Sequence, residues 1–355
     1  MDADPAHGPS GALELLSERT GTPFPHLLAA RALTRERLAA LRPRLEDGPA
    51  TSLLADQDGP REAVVLFGSW GRAELTEHSD DDWALVVDSG GEDLGERQQL
   101  LSWVGDALGT GDAVPGATGT FGEVVSAEKL AARIGLQEDT NLNLTRRMLL
   151  LLESVAVAQP EVHARAVRRV LGAYLDPTAD GGDHRPPRFL LNDLVRYWRT
   201  IAVDFEGKHR EPDGDGTGKW VMRNAKLRLS RKLLFAGGLV PVLRCHEHAA
   251  DAMADVLVAQ LAAPPTDRIA DAFLAAGTQG ALDTGARTLA AYDRWIGILG
   301  DGDARARLQA LTRERRGDDL LWHEVRDLGE RLQGGLLALL FGGRLAPVTQ
   351  QYLVF

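Results

Sequence analysis

Cysteine is nearly absent: Cys245 is the only one in 355 residues. That excludes an internal disulfide and a cysteine-built zinc site. The expected compartment is cytoplasmic. His246 and His248 follow Cys245, but no second thiol or carboxylate cluster joins them, so a loop is expected there rather than a metal site. Long apolar runs are missing as well. No run reaches the ~18–20 residues of a membrane span, so no membrane partner is expected. The leucine-rich stretch 148–152 is short and lies between Arg147 and Glu153. The first residues are acidic and rich in Pro and Gly, without a cationic start and an apolar core, so no export signal is expected. Positive charge is in deficit, with a net charge of −11. That argues against a dedicated binder of double-stranded nucleic acid.

What is present has ordinary globular proportions, 44% hydrophobic and 26% charged, in a length that suits about two domains. Richness in Ala, Gly, Arg and Asp suggests a GC-rich bacterial genome. Apolar spacing predicts helices over 12–18 and 25–42, strands over 63–67 and 82–87, a helix over 94–108 and a short β-like stretch over 120–126. A helix is expected over 140–155. After Pro160 every candidate element is helical: 161–175, 188–206, 219–236, 249–261, 267–275, 281–299 and 318–340. The acidic, glycine-rich stretch 211–218 reads as a mobile loop. It lacks the spacing of a calcium-binding EF-hand.

The most informative stretch is Val64-Val65-Leu66-Phe67-Gly68-Ser69-Trp70-Gly71-Arg72-Ala73-Glu74, closed by Ser79-Asp80-Asp81-Asp82-Trp83. It reads as a buried strand, a tight Gly-Ser turn, a short connection and a second strand entered by acids. Strand alternation would put Asp80 and Asp82 on one face. Two such carboxylates repel each other unless a divalent cation sits between them. The Gly-Ser turn offers backbone N–H groups and a hydroxyl to a phosphate. Metal and phosphate cradle together are equipment for phosphoryl or nucleotidyl transfer. Asp81 falls on the opposite face, where it needs solvent or a basic partner.

This pattern resembles the nucleotidyltransferase superfamily related to DNA polymerase beta. In its fuller form, Gly68-Ser69-x-Gly71-Arg72-x-Glu74 followed by Ser79-Asp80-x-Asp82, it is most similar to the branch with PII uridylyltransferase, glutamine-synthetase adenylyltransferase and uncharacterised nucleotidyltransferases. The resemblance implies an α+β fold: a polymerase-beta-like catalytic domain with a mixed β-sheet, followed by an all-α, bundle-like domain. The corresponding segmentation is 1–50 as an N-terminal helical segment, 51–157 as the catalytic domain and 158–355 as a helical nucleotide- or acceptor-binding domain. It also implies transfer of a nucleoside monophosphate from an NTP, ATP or UTP, to an acceptor hydroxyl, with release of pyrophosphate. Two Mg²⁺ ions, or Mn²⁺ in their place, would bridge Asp80, Asp82 and the triphosphate. Ser69 would contact phosphate, Gly68 would let the backbone approach it, and Arg72 would reach its oxygens or pair with Glu74 or Asp80. A third carboxylate is expected as general base and metal ligand. Glu123 in the β-like stretch is the candidate, with Glu138 and Asp139 as competitors and Asp139 also suited to capping the next helix.

Residues 185–244 hold thirteen Lys/Arg against six Asp/Glu, with no acid between Asp215 and Glu247. Asn192, Arg196 and Arg199 share one helical face; Lys219, Arg223, Lys226 and Ser230 share another. Arg196, Arg199, Lys219, Arg223 and Lys226 are therefore expected to bind nucleotide or an anionic acceptor across a cleft. Tyr197 and Trp220 are candidate base-stacking residues, although such residues are more often core. The acceptor stays open among a protein, RNA, a nucleotide and a small molecule. PII itself is not assigned as substrate. A toxin- or defence-type transferase acting on tRNA or making a nucleotide signal is the alternative within enzymes. A non-catalytic nucleotide-binding regulator is the alternative outside them.

Overall fold

The computed structural model describes residues 11–46, 55–56, 59–88, 97–109, 120–175, 184–210, 218–313 and 315–353. Residues 211–217 of the loop expected over 211–218, the stretch 110–119 and the first residues of the helix expected from 94 lie outside them; Gly218 itself is helical. In chain order the elements are α1 (Ala12–Thr20), α2 (Pro25–Glu46), β1 (Ala55–Asp56), β2 (Gly59–Pro60), β3 (Glu62–Phe67), β4 (Trp83–Val87), α3 (Arg97–Leu108), β5 (Val124–Ser126) and α4 (Ala127–Ala131). They continue with α5 (Asn141–Leu152), β6 (Ser154–Ala158), α6 (Pro160–Gly172), α7 (Arg188–Arg210), α8 (Gly218–Lys226), α9 (Lys232–Arg244), α10 (Met253–Ala262) and α11 (Pro265–Ala275). The last are α12 (Gln279–Gly300), α13 (Gly302–Ala310), α14 (Leu320–Phe341) and α15 (Ala346–Leu353). A fold of class α+β, mostly helical with one small mixed sheet, is what the sequence led us to expect.

The sheet has the order β5-β4-β3-β6. β3 pairs antiparallel with β4, Leu66 opposite Trp83, and antiparallel with β6, Phe67 opposite Ser154. β4 and β5 run parallel, with Leu85 opposite Val124. Every residue of β3 and β4 is buried. That is why the sequence from Ala63 to Phe67 is continuously apolar rather than alternating: both faces of the strand are covered. On one face Val64, Leu66, Trp83, Leu85 and Val87 pack with Leu38, Leu41 and Leu45 of α2 and Leu100 and Val104 of α3. α6 packs on β3 and β4, burying Val162, Ala166 and Val170.

β6 corrects the expectation of one helix over 140–155. The helix stops at Leu152, where the Ser154 hydroxyl donates to the Leu150 carbonyl at 2.6 Å. The five residues that follow, Ser154 to Ala158, carry two β-branched valines and complete the sheet beside β3. The apolar run of α5 concealed this change of period.

The chain divides into two compact units, and these differ from the three consecutive segments expected. One comprises residues 31–75 and 79–180, so α6 stays with the sheet; the other comprises 1–30, 76–78 and 181–355. In the helical unit α12 packs along α14, and a side chain at Gly335 would collide with Thr288. α9 runs on past its expected end at 236. At Gly237 an added Cβ would lie 2.9 Å from that of Pro265, so this glycine sets a close approach to α11 rather than a stop. Two buried aspartates tie the N-terminal helices to this unit: Asp267 accepts from the Leu13 N–H at 3.0 Å and Asp293 from the Leu27 N–H at 2.8 Å. Burial raises the Asp293 carboxyl above its ordinary pKa, with the hydrogen bond from Leu27 opposing it.

Candidate functional site

The Gly-Ser turn hangs from the end of β3. Gly68 adopts φ +65°, a left-handed conformation that side chains rarely take. A Cβ there would sit 3.4 Å from Oδ2 of Asp82, so the turn and the second acid are in direct proximity. The turn then closes as a compact coil: Arg72 N–H donates to the Gly68 carbonyl at 3.0 Å and Glu74 N–H to the Ser69 carbonyl at 2.8 Å. Gly71 has no room for a side chain, because a Cβ there would overlap the Glu153 carbonyl.

Asp82 lies just before β4, and its carbonyl accepts from the Phe67 N–H at 2.8 Å, extending the ladder by one pair. Strand alternation therefore places Asp82 on the face of Ala84 and Val86, opposite the cluster around Trp83 and Leu85. It does not fix Asp80. Asp80 is exposed in the non-strand approach, so the expected alternation covers one acid of the pair rather than both.

Glu123 also lies just outside its strand. The Leu85 N–H donates to the Glu123 carbonyl at 3.0 Å, and the parallel register puts Glu123 beside Ala84. Residues opposite each other in register share a face, so Glu123 and Asp82 lie on the same side of the sheet. The Phe67 and Phe121 rings, 5.8 Å apart between centroids, mark that side. Asp82 and Glu123 are both half-buried. Among the described residues no group of three or more His, Cys, Asp or Glu side chains is gathered closely enough to hold a metal. Asp82 sets hard carboxylate oxygen beside a glycine that has no side chain, donor chemistry of the kind that suits Mg²⁺.

Asp81 is half-buried, so part of it meets solvent, and it also accepts from the Trp70 indole N–H at 2.9 Å. Arg72 is engaged structurally. Its Nε donates to Glu74 at 2.7 Å and its Nη1 to Glu153. Both glutamate side chains are almost fully buried, and Arg72 is 12% exposed. Glu153 is 81 residues away in the chain, which is why nothing local in the sequence pointed to it.

The competitors for the third carboxylate have other partners. Asp139 is held by a buried, two-pronged ion pair with Arg147 at 3.0 Å, while Thr140 caps α5. Glu138 pairs with Arg133 on the surface at 3.2 Å. Next to Glu153, Ser154 and His163 are joined at 2.8 Å. The Ser154 hydroxyl already donates to Leu150, so the Nε2–H of a neutral His163 must be the donor. Burial pushes His163 down to about 4, in keeping with that neutral form.

In the helical unit Arg196 and Arg199 lie on α7, and Lys219, Arg223 and Lys226 on α8. Arg196 pairs with Asp193 at 3.5 Å, and Arg199 and Arg223 are exposed. The stripe does not extend to Ser230. A π-helical turn, Leu227–Arg231, follows α8 and rotates the next residues to another face. Ser230 is consequently buried, where it accepts from the Trp295 indole at 2.8 Å. Tyr197 is buried as well. Cys245 is not in a loop: it is buried at the end of α9, and burial pushes its thiol up to about 12. A cavity of about 380 Å³ in this unit, with Arg244, Phe273, Thr278, Leu339 and Arg344 in its wall, includes none of the expected site residues. No described helix is long and apolar enough to cross a membrane. Comparisons with protein-family models, curated proteins and solved structures found no match.

Proposed function

We propose that the chain is a Mg²⁺-dependent nucleotidyltransferase that moves a nucleoside monophosphate from an NTP to an acceptor hydroxyl. The observation that carries the reading is Gly68 at φ +65° with the Asp82 carboxylate beside its missing side chain. The turn we read as a phosphate cradle and the acid we read as a metal ligand are thus neighbours, although thirteen residues lie between Gly68 and Asp82 in the chain.

In this reading Asp80 and Asp82 would hold Mg²⁺, which supplies charge neutralisation to the triphosphate and a lower pKa to the acceptor hydroxyl. Gly68 and Ser69 bind phosphate through backbone N–H groups and a hydroxyl. Glu123 takes the acceptor proton. The acceptor oxygen forms a bond to the α-phosphorus as the bond to the bridging oxygen breaks, and pyrophosphate leaves with that electron pair. Arg72 positions rather than binds: held by Glu74 and Glu153, it fixes the coil that follows Gly68. On the helical unit, Arg196, Arg199, Lys219, Arg223 and Lys226 are the proposed source of positive charge for an anionic ligand.

The test offers α-labelled ATP and UTP, each with Mg²⁺ and cell extract, to the parent chain and to Asp82→Asn. Label should enter an acceptor with the parent. It should fall by on the order of 10³ or more with the variant, which removes a metal-binding charge but no packing. Glu123→Gln should lose roughly 10²–10⁴ in rate while NTP binding persists. Tight NTP binding with no transfer to any acceptor would favour the non-catalytic regulator instead.

A further inference from the structure

Two cations of the helical unit have no role in the proposed transfer. Asn224, Arg228 and Lys232 recur at every fourth residue from α8, through the π-helical turn, into the start of α9. No Asp or Glu occurs between Asp215 and Glu247, so this stretch supplies no acid of its own. α14 packs against the π-helical turn. A Cβ on its Gly329 would lie 3.4 Å from the Cβ of Arg228, so the glycine lets the arginine stem rest on the α14 backbone. One turn further along α14, Gln333 reaches Lys232.

Both cations are held by neutral amides. Arg228 Nε donates to Oδ1 of Asn224 at 2.8 Å, and Lys232 Nζ donates to Oε1 of Gln333. An amide oxygen orients a cation but leaves its charge in place. Among the described residues no carboxylate pairs with either cation. The three acids of α14 are engaged elsewhere: Glu324 with Arg294, Asp327 with Arg331 at 2.8 Å and Glu330 with Arg326 at 3.8 Å. Two half-buried positive charges therefore stand side by side. Burial, and then the Arg228 charge, lower the Lys232 ammonium below its ordinary pKa. An anion would offset that repulsion, as a cation does for paired carboxylates. The donors select which anion. Arg228 retains both Nη groups, Lys232 two of its N–H bonds and Asn224 its amide NH₂. A carboxylate brings one charge and two oxygens in a plane. A phosphate brings up to two charges and a tetrahedron of oxygens, which suits a guanidinium edge and an ammonium arriving from different directions.

We propose that Arg228, Lys232 and Asn224 form a binding site for a phosphate group, free or carried by a nucleotide. The site does not rest on the transferase reading. The experiment is calorimetric titration of the full chain with inorganic phosphate at low ionic strength, without Mg²⁺ or NTP. Binding should be saturable and should weaken as salt is raised. Arg228→Gln and Lys232→Gln should each weaken it about tenfold. Lys232→Arg keeps the charge and should retain binding, which guards against loss through misfolding. Arg326→Ala removes a cation already paired with Glu330 and should leave binding unchanged. Acetate should not compete. Absence of phosphate binding overturns the proposal. So does a doubly substituted Arg228→Gln, Lys232→Gln chain that binds phosphate like its parent, which would move the phosphate to another place, the Gly68-Ser69 turn included. An equal loss with Arg326→Ala, or acetate competing as well as phosphate does, would reduce the patch to a diffuse field and overturn it too. ATP without Mg²⁺ separates the two sources. Affinity no higher than for phosphate identifies a free phosphate; higher affinity, lost with the same substitutions, identifies a nucleotide. Failure of the transferase reading would show separately, as label that reaches no acceptor while phosphate binding is retained.

Discussion

Arginine is used in opposite ways in the two units. Arg72 in the sheet unit is enclosed by Glu74 and Glu153, both inside the fold, so its charge is neutralised by the protein itself. Arg313 and Arg316 in the helical unit lie over the Trp220 ring, with Cζ 5.3 and 4.7 Å from its centroid. The first arrangement ties a turn to a distant strand; the second adds two guanidinium groups to an aromatic cluster. Charge alone in the sequence does not separate these uses. What separates them is whether the partner is a buried carboxylate or an aromatic face.

The sharpest way to break this comparison is Arg72→Met. It takes the guanidinium from between two buried carboxylates, so urea unfolding should show a loss of about 3–5 kcal/mol. Arg72→Lys keeps the charge but not the fork and should lose less. If Arg72→Met is as stable as the parent, the two arginine environments do not differ as described, and Arg72 returns as a phosphate ligand.

His163 sharpens the account of the same region by pH. Its folded pKa of about 4 lies below the ordinary 6.5. The unfolded chain therefore binds a proton first on acidification. Stability is fully present above pH 6.5 and falls as pH drops toward 4, by up to about 3 kcal/mol from this group. Thermal unfolding of His163→Gln across that window should show a smaller slope than the parent. Equal slopes would mean that other groups set the acid sensitivity.

Arg223→Ala should have the smallest effect on stability, within about 0.5 kcal/mol, because the side chain is exposed. A larger loss in denaturation would place Arg223 in a structural pair, like Arg72, and remove it from the ligand surface.

Much of the sheet unit could be read from the chain. β3 and β4 announced themselves as apolar runs, and the Gly68-Ser69 turn with its following acids stood out by spacing. The basic character of residues 219–232 was equally plain. Less visible were features with no local signature. β6 was hidden because a leucine-rich helix runs straight into Val155 and Val157, and only an open edge of β3 gives those residues an extended partner. Ser230 was misplaced because a π-turn changes the angle per residue, which a 3.6-residue pattern cannot register.

By itself the sequence determined the α+β class, the two central strands and the positions where acids follow a Gly-Ser turn, because these depend on short-range periodicity and turn chemistry. Only the tertiary structure decided that Arg72 belongs to Glu153, that Asp139 belongs to Arg147, and that Trp220 carries Arg313 and Arg316. Each of these assignments depends on which groups share a low-dielectric space after the chain has closed on itself. Spacing along a chain does not encode that proximity.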